Sequence, residues 1–180
     1  MADKEPKPYD ERTDLEKIRS QWKKLSGLLS RSDWSAAVVR AATATELAVT
    51  FAIRYEFTQK SELDTSFIDG LLGWANGLIG KVDKLLLPLL ERTEKHNTVK
   101  KLYNLAEKIN NRRNMIVHRG EFCDKRSTIT LINHCKEFVD GIVQIYDPKF
   151  ILKEIKDLTD APPSTLTPAG SSPRPTETAR

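Results

Sequence analysis

The sequence has little that would cross-link, anchor or stiffen it. Its 180 residues include two cysteines, three histidines and eight glycines. Cys123 and Cys135 cannot staple a small secreted fold, and such sparse cysteine usage points to a reducing compartment. His96, His118 and His134 lack metal-ligand spacing, and neither cysteine has a partner at such spacing. Glycine and proline are too rare for a collagen-like chain, and 39% hydrophobic residues is too many for a chain disordered throughout. Uninterrupted apolar runs are also missing. The two richest stretches, residues 34–57 and 67–90, are broken by Arg40, Glu46 and Arg54, and by Asp69, Lys81, Asp83 and Lys84. Neither reads as a membrane span. The first nine residues carry charge and no apolar core of a secretory signal. No G-x-G-x-x-G, Walker or G-x-S-x-G motif occurs. The expectation is one soluble, cytoplasmic domain.

What is present is an uneven positive charge. The net charge is +4. Residues 1–96 balance to zero, and residues 97–126 carry eight bases against three acids, a net of +5. The bases are Lys100, Lys101, Lys108, Arg112, Arg113, Arg119, Lys125 and Arg126. Such a local field favours a polyanion or a phosphate, although a solvated helix face has the same composition.

The periodicity is helical. Leu15, Ile18, Trp22, Leu25 and Leu28 or Leu29 recur at spacings of three and four, which predicts a helix over 12–30. A capping serine, Ser32 or Ser35, precedes an Ala- and Val-rich helix over about 34–57, apolar on most faces and therefore central. Its one polar stripe is Thr43, Glu46, Thr50 and Arg54. A linker over 58–64 leads to residues 65–90, punctuated by Gly70, Gly73, Gly77 and Gly80. These read as two helices or one kinked helix ending near Pro88. A further helix over about 98–118 stops at Arg119-Gly120. The last starts near Ser127 and ends before Pro148, after which Phe150, Ile151 and Leu152 dock back. Trp34 and Trp74 read as core, and Cys123 as an inert small hydrophobe. The expected fold is an all-α bundle of five or six helices over 10–157, between a flexible segment 1–9 and a disordered Pro-, Ser- and Thr-rich tail over 158–180.

Chemistry concentrates at the end of the fourth or fifth predicted helix, in Asn110-Asn111-Arg112-Arg113-Asn114-Met115-Ile116-Val117-His118-Arg119-Gly120. Asn114 and His118 are four apart and share a helix face. Arg113 follows Ile109 by four, in register with the apolar stripe, so its guanidinium needs a carboxylate, carbonyl oxygens or a phosphate. Glu46 is the candidate internal partner. Histidine exchanges a proton near neutral pH, and arginine and asparagine bind phosphate oxygens. The same residues also fit plain capping of a helix C-terminus.

Arg113-Asn114-x-x-x-His118 resembles the R-x4–6-H signature of the HEPN superfamily (higher eukaryotes and prokaryotes nucleotide-binding). Arg112 sets a second spacing, R-x5-H. The string from Asn110 to Phe122 and the central-helix segment from Arg40 to Glu46 share the likeness, which covers roughly residues 12–155. The resemblance implies a bundle of HEPN type that pairs as a homodimer and brings two motifs together. It also implies a metal-independent endoribonuclease without a cofactor, of toxin–antitoxin or defence type, with RNA or a nucleotide as ligand and an antitoxin protein as a possible partner. Attack of the ribose 2′-hydroxyl on the adjacent phosphate would leave a cyclic phosphate. On this likeness His118 is the acid/base group, Arg113 binds the scissile phosphate and Asn114 orients it. Glu46, Arg112 and Arg119 support them. Some members are instead non-catalytic binding or interaction modules, which is the alternative expectation.

Overall fold

Alanine determines where the centre of the molecule lies. In the computed structural model, which describes residues 7–155, helix α3 (Trp34–Lys60) buries Ala37, Ala41, Ala44, Ala48 and Ala52 completely. Side chains this small let neighbouring helices approach on several sides, and Val38, Val49 and Ile53 fill the remaining core volume. Helix α1 (Asp14–Lys23), α2 (Leu25–Leu29), α7 (Lys95–Arg119) and α8 (Lys125–Val143) all pack against it. By length and composition α3 alone among the described helices is able to cross a membrane, yet most of its apolar window is buried inside the bundle.

The described residues contain helices and no strand. The all-α expectation therefore holds, with finer subdivision than the periodicity indicates. The expected helix over 12–30 breaks at Lys24 into α1 and α2. Helix α1 starts on a capping box, in which Glu16 N–H donates to Thr13 Oγ1 at 3.2 Å and Thr13 N–H donates to Glu16 Oε2 at 2.7 Å. Helix α3 continues three residues into the expected linker. Helix α4 (Thr65–Trp74) is capped by Asp64. After a short turn, α5 (Gly77–Lys81), a π-helical turn (Val82–Leu86) and α6 (Leu87–Leu90) run on end to end.

As expected, the rod ends near Pro88, at Leu90. Pro88 itself is accommodated inside the helix. It lies in the first turn of α6, directly after the π-helical turn, where a missing N–H costs little. Helix α7 stops at Gly120, whose φ of 68° is left-handed. Gly120 N–H donates to Ile116 O and Glu121 N–H to Met115 O, so the last carbonyls are satisfied.

Phe138, Ile132, Ile142 and Val143 of α8 are fully buried. Each contributes about 1.5–3 kcal/mol of hydrophobic stabilisation. Beyond α8, Phe150 and Leu152 dock back as expected, whereas Ile151 points outward. Trp22 Nε1–H ties this segment down by donating to Lys153 O at 2.9 Å, and Leu152 N–H donates to Asp140 Oδ1 at 2.9 Å. At the other end, Gln21 Nε2–H donates to the Tyr9 hydroxyl at 2.7 Å, so part of the segment expected to be flexible touches the bundle. Residues 1–6 and the expected tail over 158–180 lie outside the described residues.

One buried charge crosses the bundle. Glu56 of α3 is 2% exposed and lies 2.8 Å from Lys95 Nζ and 2.9 Å from Lys60 Nζ. Lys95 also lies over the Tyr146 ring, at 4.6 Å. Burial opposes the Glu56 charge, but the two ammonium groups outweigh it and hold its carboxyl below the ordinary value of 4.5. The unfolded chain therefore binds this proton first on acidification. The stabilisation is fully present above about pH 4.5 and is lost as pH falls through the lower folded value. Denaturation midpoints measured between pH 6 and 3 are expected to fall less steeply in Glu56→Gln than in the natural chain. Equal slopes would remove Glu56 from this role.

Candidate functional site

The last turns of α7 face α3 and the turn between α4 and α5. Between them lies a cavity of about 500 Å³. Arg113, Asn114 and His118 line it from α7, Thr43 and Glu46 from α3, and residues 76–80 from the turn and the start of α5. Helical spacing accounts for the first group, because residues 110, 113, 114 and 118 recur at three and four and share one face.

The three expected site residues converge. Arg113 Nη1 donates to Asn114 Oδ1 at 3.1 Å and lies 3.2 Å from His118 Nε2. A guanidinium has donors only, so a hydrogen bond here requires the Nδ1–H tautomer of His118, with Nε2 accepting. Arg113 is half-buried, yet among the described residues no carboxylate pairs with it. Its Nε and Nη2 donors make no hydrogen bond to described residues. A half-buried guanidinium without an acidic partner beside a polar cavity is suited to an anion.

Glu46 lines the same cavity but is not the partner expected for Arg113. Lys81 Nζ takes it, at 2.7 Å from Glu46 Oε1 and 3.3 Å from Thr50 Oγ1. The ammonium reaches across from α5, which the spacing of α3 alone could not reveal. Lys81 is the residue that sequence reasoning missed, and its one visible signal was a charge interrupting an otherwise apolar stretch. The π-helical turn that follows it sets the register of this rod.

Arg112 and Arg119 do not join the cavity lining. Arg112 points to the opposite side of α7, where Nη1 donates to Glu121 Oε2 at 3.1 Å, Nη2 to Phe122 O at 2.8 Å and Nε to Cys123 Sγ at 3.1 Å. It clamps the loop over 120–124, and Cys123 N–H donates from that loop to Ser35 Oγ on α3 at 2.9 Å. Of the two spacings the sequence left open, the arginine beside His118 is Arg113. Cys123 is buried, as expected of a small hydrophobe, and also serves as an acceptor.

The two arginines should separate in experiment. Arg112→Ala removes three hydrogen bonds from a charged group that is partly solvated. A loss of about 1–2 kcal/mol is expected, read as a lower thermal midpoint, with the cavity intact. Arg113→Ala should leave the midpoint nearly unchanged. The reverse pattern would mean that the assignments are exchanged.

Among the described residues no group of three or more His, Cys, Asp or Glu side chains is placed to hold a metal ion. No family model matches this chain, and neither do any curated protein or solved structure. The functional reading therefore rests on the motif and its geometry.

Proposed function

We propose that the chain is a metal-independent endoribonuclease of HEPN type, acting in the cytoplasm as a homodimer. The observation that carries this reading is the approach of Arg113 to His118 at the wall of a polar cavity, with no carboxylate claiming the guanidinium. An entering phosphodiester draws Arg113 onto a non-bridging oxygen and frees the His118 Nε2 lone pair. Nε2 takes the proton of the ribose 2′-hydroxyl. The 2′-oxygen bonds to phosphorus, the bond from phosphorus to the 5′-oxygen breaks, and an imidazolium returns a proton to that oxygen. Arg113 stabilises the charge that builds on the phosphoryl oxygens, and Asn114 holds Arg113 in place. Because RNA brings its own nucleophile, the chemistry needs no nucleophilic side chain. A toxin or defence effector held in check by an antitoxin protein fits this activity.

The test is cleavage of RNA in the presence of EDTA by the natural chain and by His118→Ala. Cleavage confined to the natural chain supports the reading, and equal activity in both dismisses the site.

One observation favours a second reading. In the free protein Arg113 occupies the lone pair that a general base would need. A binding module of the same fold, holding RNA or a nucleotide without cutting it, has no need to release that lone pair. It would show an RNA mobility shift without cleavage, abolished by Arg113→Ala and weakening steeply with salt.

A further inference from the structure

Trp74, expected in the core, is 62% exposed at the end of α4. Its surroundings give that exposure a direction. The next residue, Ala75, is fully buried, and residues 76–80 then line the cavity that holds Arg113 and His118. The turn between them is tightly built. Gly77 has a φ of +76°, and a Cβ at Gly80 would stand 2.1 Å from the Ala75 carbonyl oxygen. The backbone that carries Trp74 thus leads, within two residues, into a turn with little room to move that lines the site. Lys84, on the π-helical turn, places Nζ 4.7 Å from the centre of the ring. On α4 a Cβ at Gly70 or Gly73 would meet no neighbouring atom within 4 Å, so the helix surface that leads up to Trp74 is open.

An exposed aromatic surface with a cation over one face, two residues from a turn that lines a phosphate-suited cavity, matches one ligand chemistry. A planar base stacks on the indole, and the backbone charge it carries meets Lys84 and Arg113. In a duplex the bases are already stacked and paired, so only an unpaired base offers its face. Resting on the function proposed above, we infer that Trp74, flanked by Lys84, is the stacking platform for one unpaired base of a single-stranded RNA whose phosphodiester lies in the Arg113–His118 cavity. The molecule thereby selects single-stranded over duplex RNA at this position.

The experiment measures binding by fluorescence anisotropy, using a labelled single-stranded oligoribonucleotide carrying 2′-O-methyl groups so that it cannot be cut, and the matching duplex. Trp74→Ala should weaken single-strand binding roughly 5- to 150-fold, the range for one base stacked on an aromatic ring. Trp74→Phe should retain most of the affinity, and duplex binding should not change. Unchanged single-strand affinity in Trp74→Ala overturns the platform and leaves the nuclease reading standing. So does an equal loss on duplex, or a change in oligomeric state by light scattering, which would make this face a contact between copies. If the natural chain binds no single-stranded RNA at all, the platform and the reading beneath it both fall.

Discussion

His118→Ala is expected to lower RNA cleavage by about 10²- to 10⁴-fold, the usual worth of a positioned acid/base group. The protein should stay as stable as the natural chain. His118 is exposed, and its one side-chain partner is Arg113, so little packing is lost. Arg113→Ala should cost about 10²- to 10³-fold, as does the loss of one donor to a developing oxyanion. The double variant should be scarcely worse than either single one. The two side chains touch, and the effects of groups acting as a unit do not add. Cleavage falling as the product of the two single losses would mean that they act independently. Thermal denaturation of each variant separates a chemical loss from an unfolded protein.

Gly80→Ala should destabilise the protein by about 2 kcal/mol, although glycine-to-alanine changes within helices normally stabilise by up to about 1 kcal/mol. The sign reverses because of the neighbour. A Cβ on Gly80 would lie 2.1 Å from the Ala75 carbonyl oxygen and 3.1 Å from its carbon. A backbone carbonyl cannot rotate away as a side chain can, so the turn must shift, and overpacking of this kind costs about 1–3 kcal/mol. Gly141→Ala is the internal control. Its Cβ would meet Leu102 Cδ1 at 2.8 Å, the far end of a flexible side chain, and the change should be near neutral. A drop of about 4–8 °C in thermal midpoint is expected for Gly80→Ala alone. Because residues 76–80 line the cavity, its RNA cleavage should fall too. Equal midpoints for the two variants would show that the turn has room to give.

These expectations divide along a line visible in the sequence. Local signals were legible: the alanine spacing that centres α3, and the glycine that stops α7. The convergence of Arg113, Asn114 and His118 was equally so, because three side chains on one helix face are brought together by helical pitch alone. What depended on a second element was hidden. Nothing in α3 shows that Lys81 from α5 takes Glu46, leaving Arg113 without a carboxylate. The choice between Arg112 and Arg113 depended on the loop over 120–124 folding back along α7. Trp74 reads as core because its apolar neighbours on α4 are many and its exposure is set by packing. The HEPN likeness rests on the motif alone.

The most direct measurement is the chemistry of the cut ends. RNA incubated with the protein in EDTA should yield fragments ending in a 2′,3′-cyclic phosphate, each matched by a 5′-hydroxyl. A substrate with 2′-deoxyribose at the cut position should stay intact, and so should RNA given to His118→Ala. Fragments with 3′-hydroxyl ends, cleavage of the deoxy-substituted strand, or the same products from His118→Ala would contradict the joint action of Arg113 and His118 on a phosphodiester.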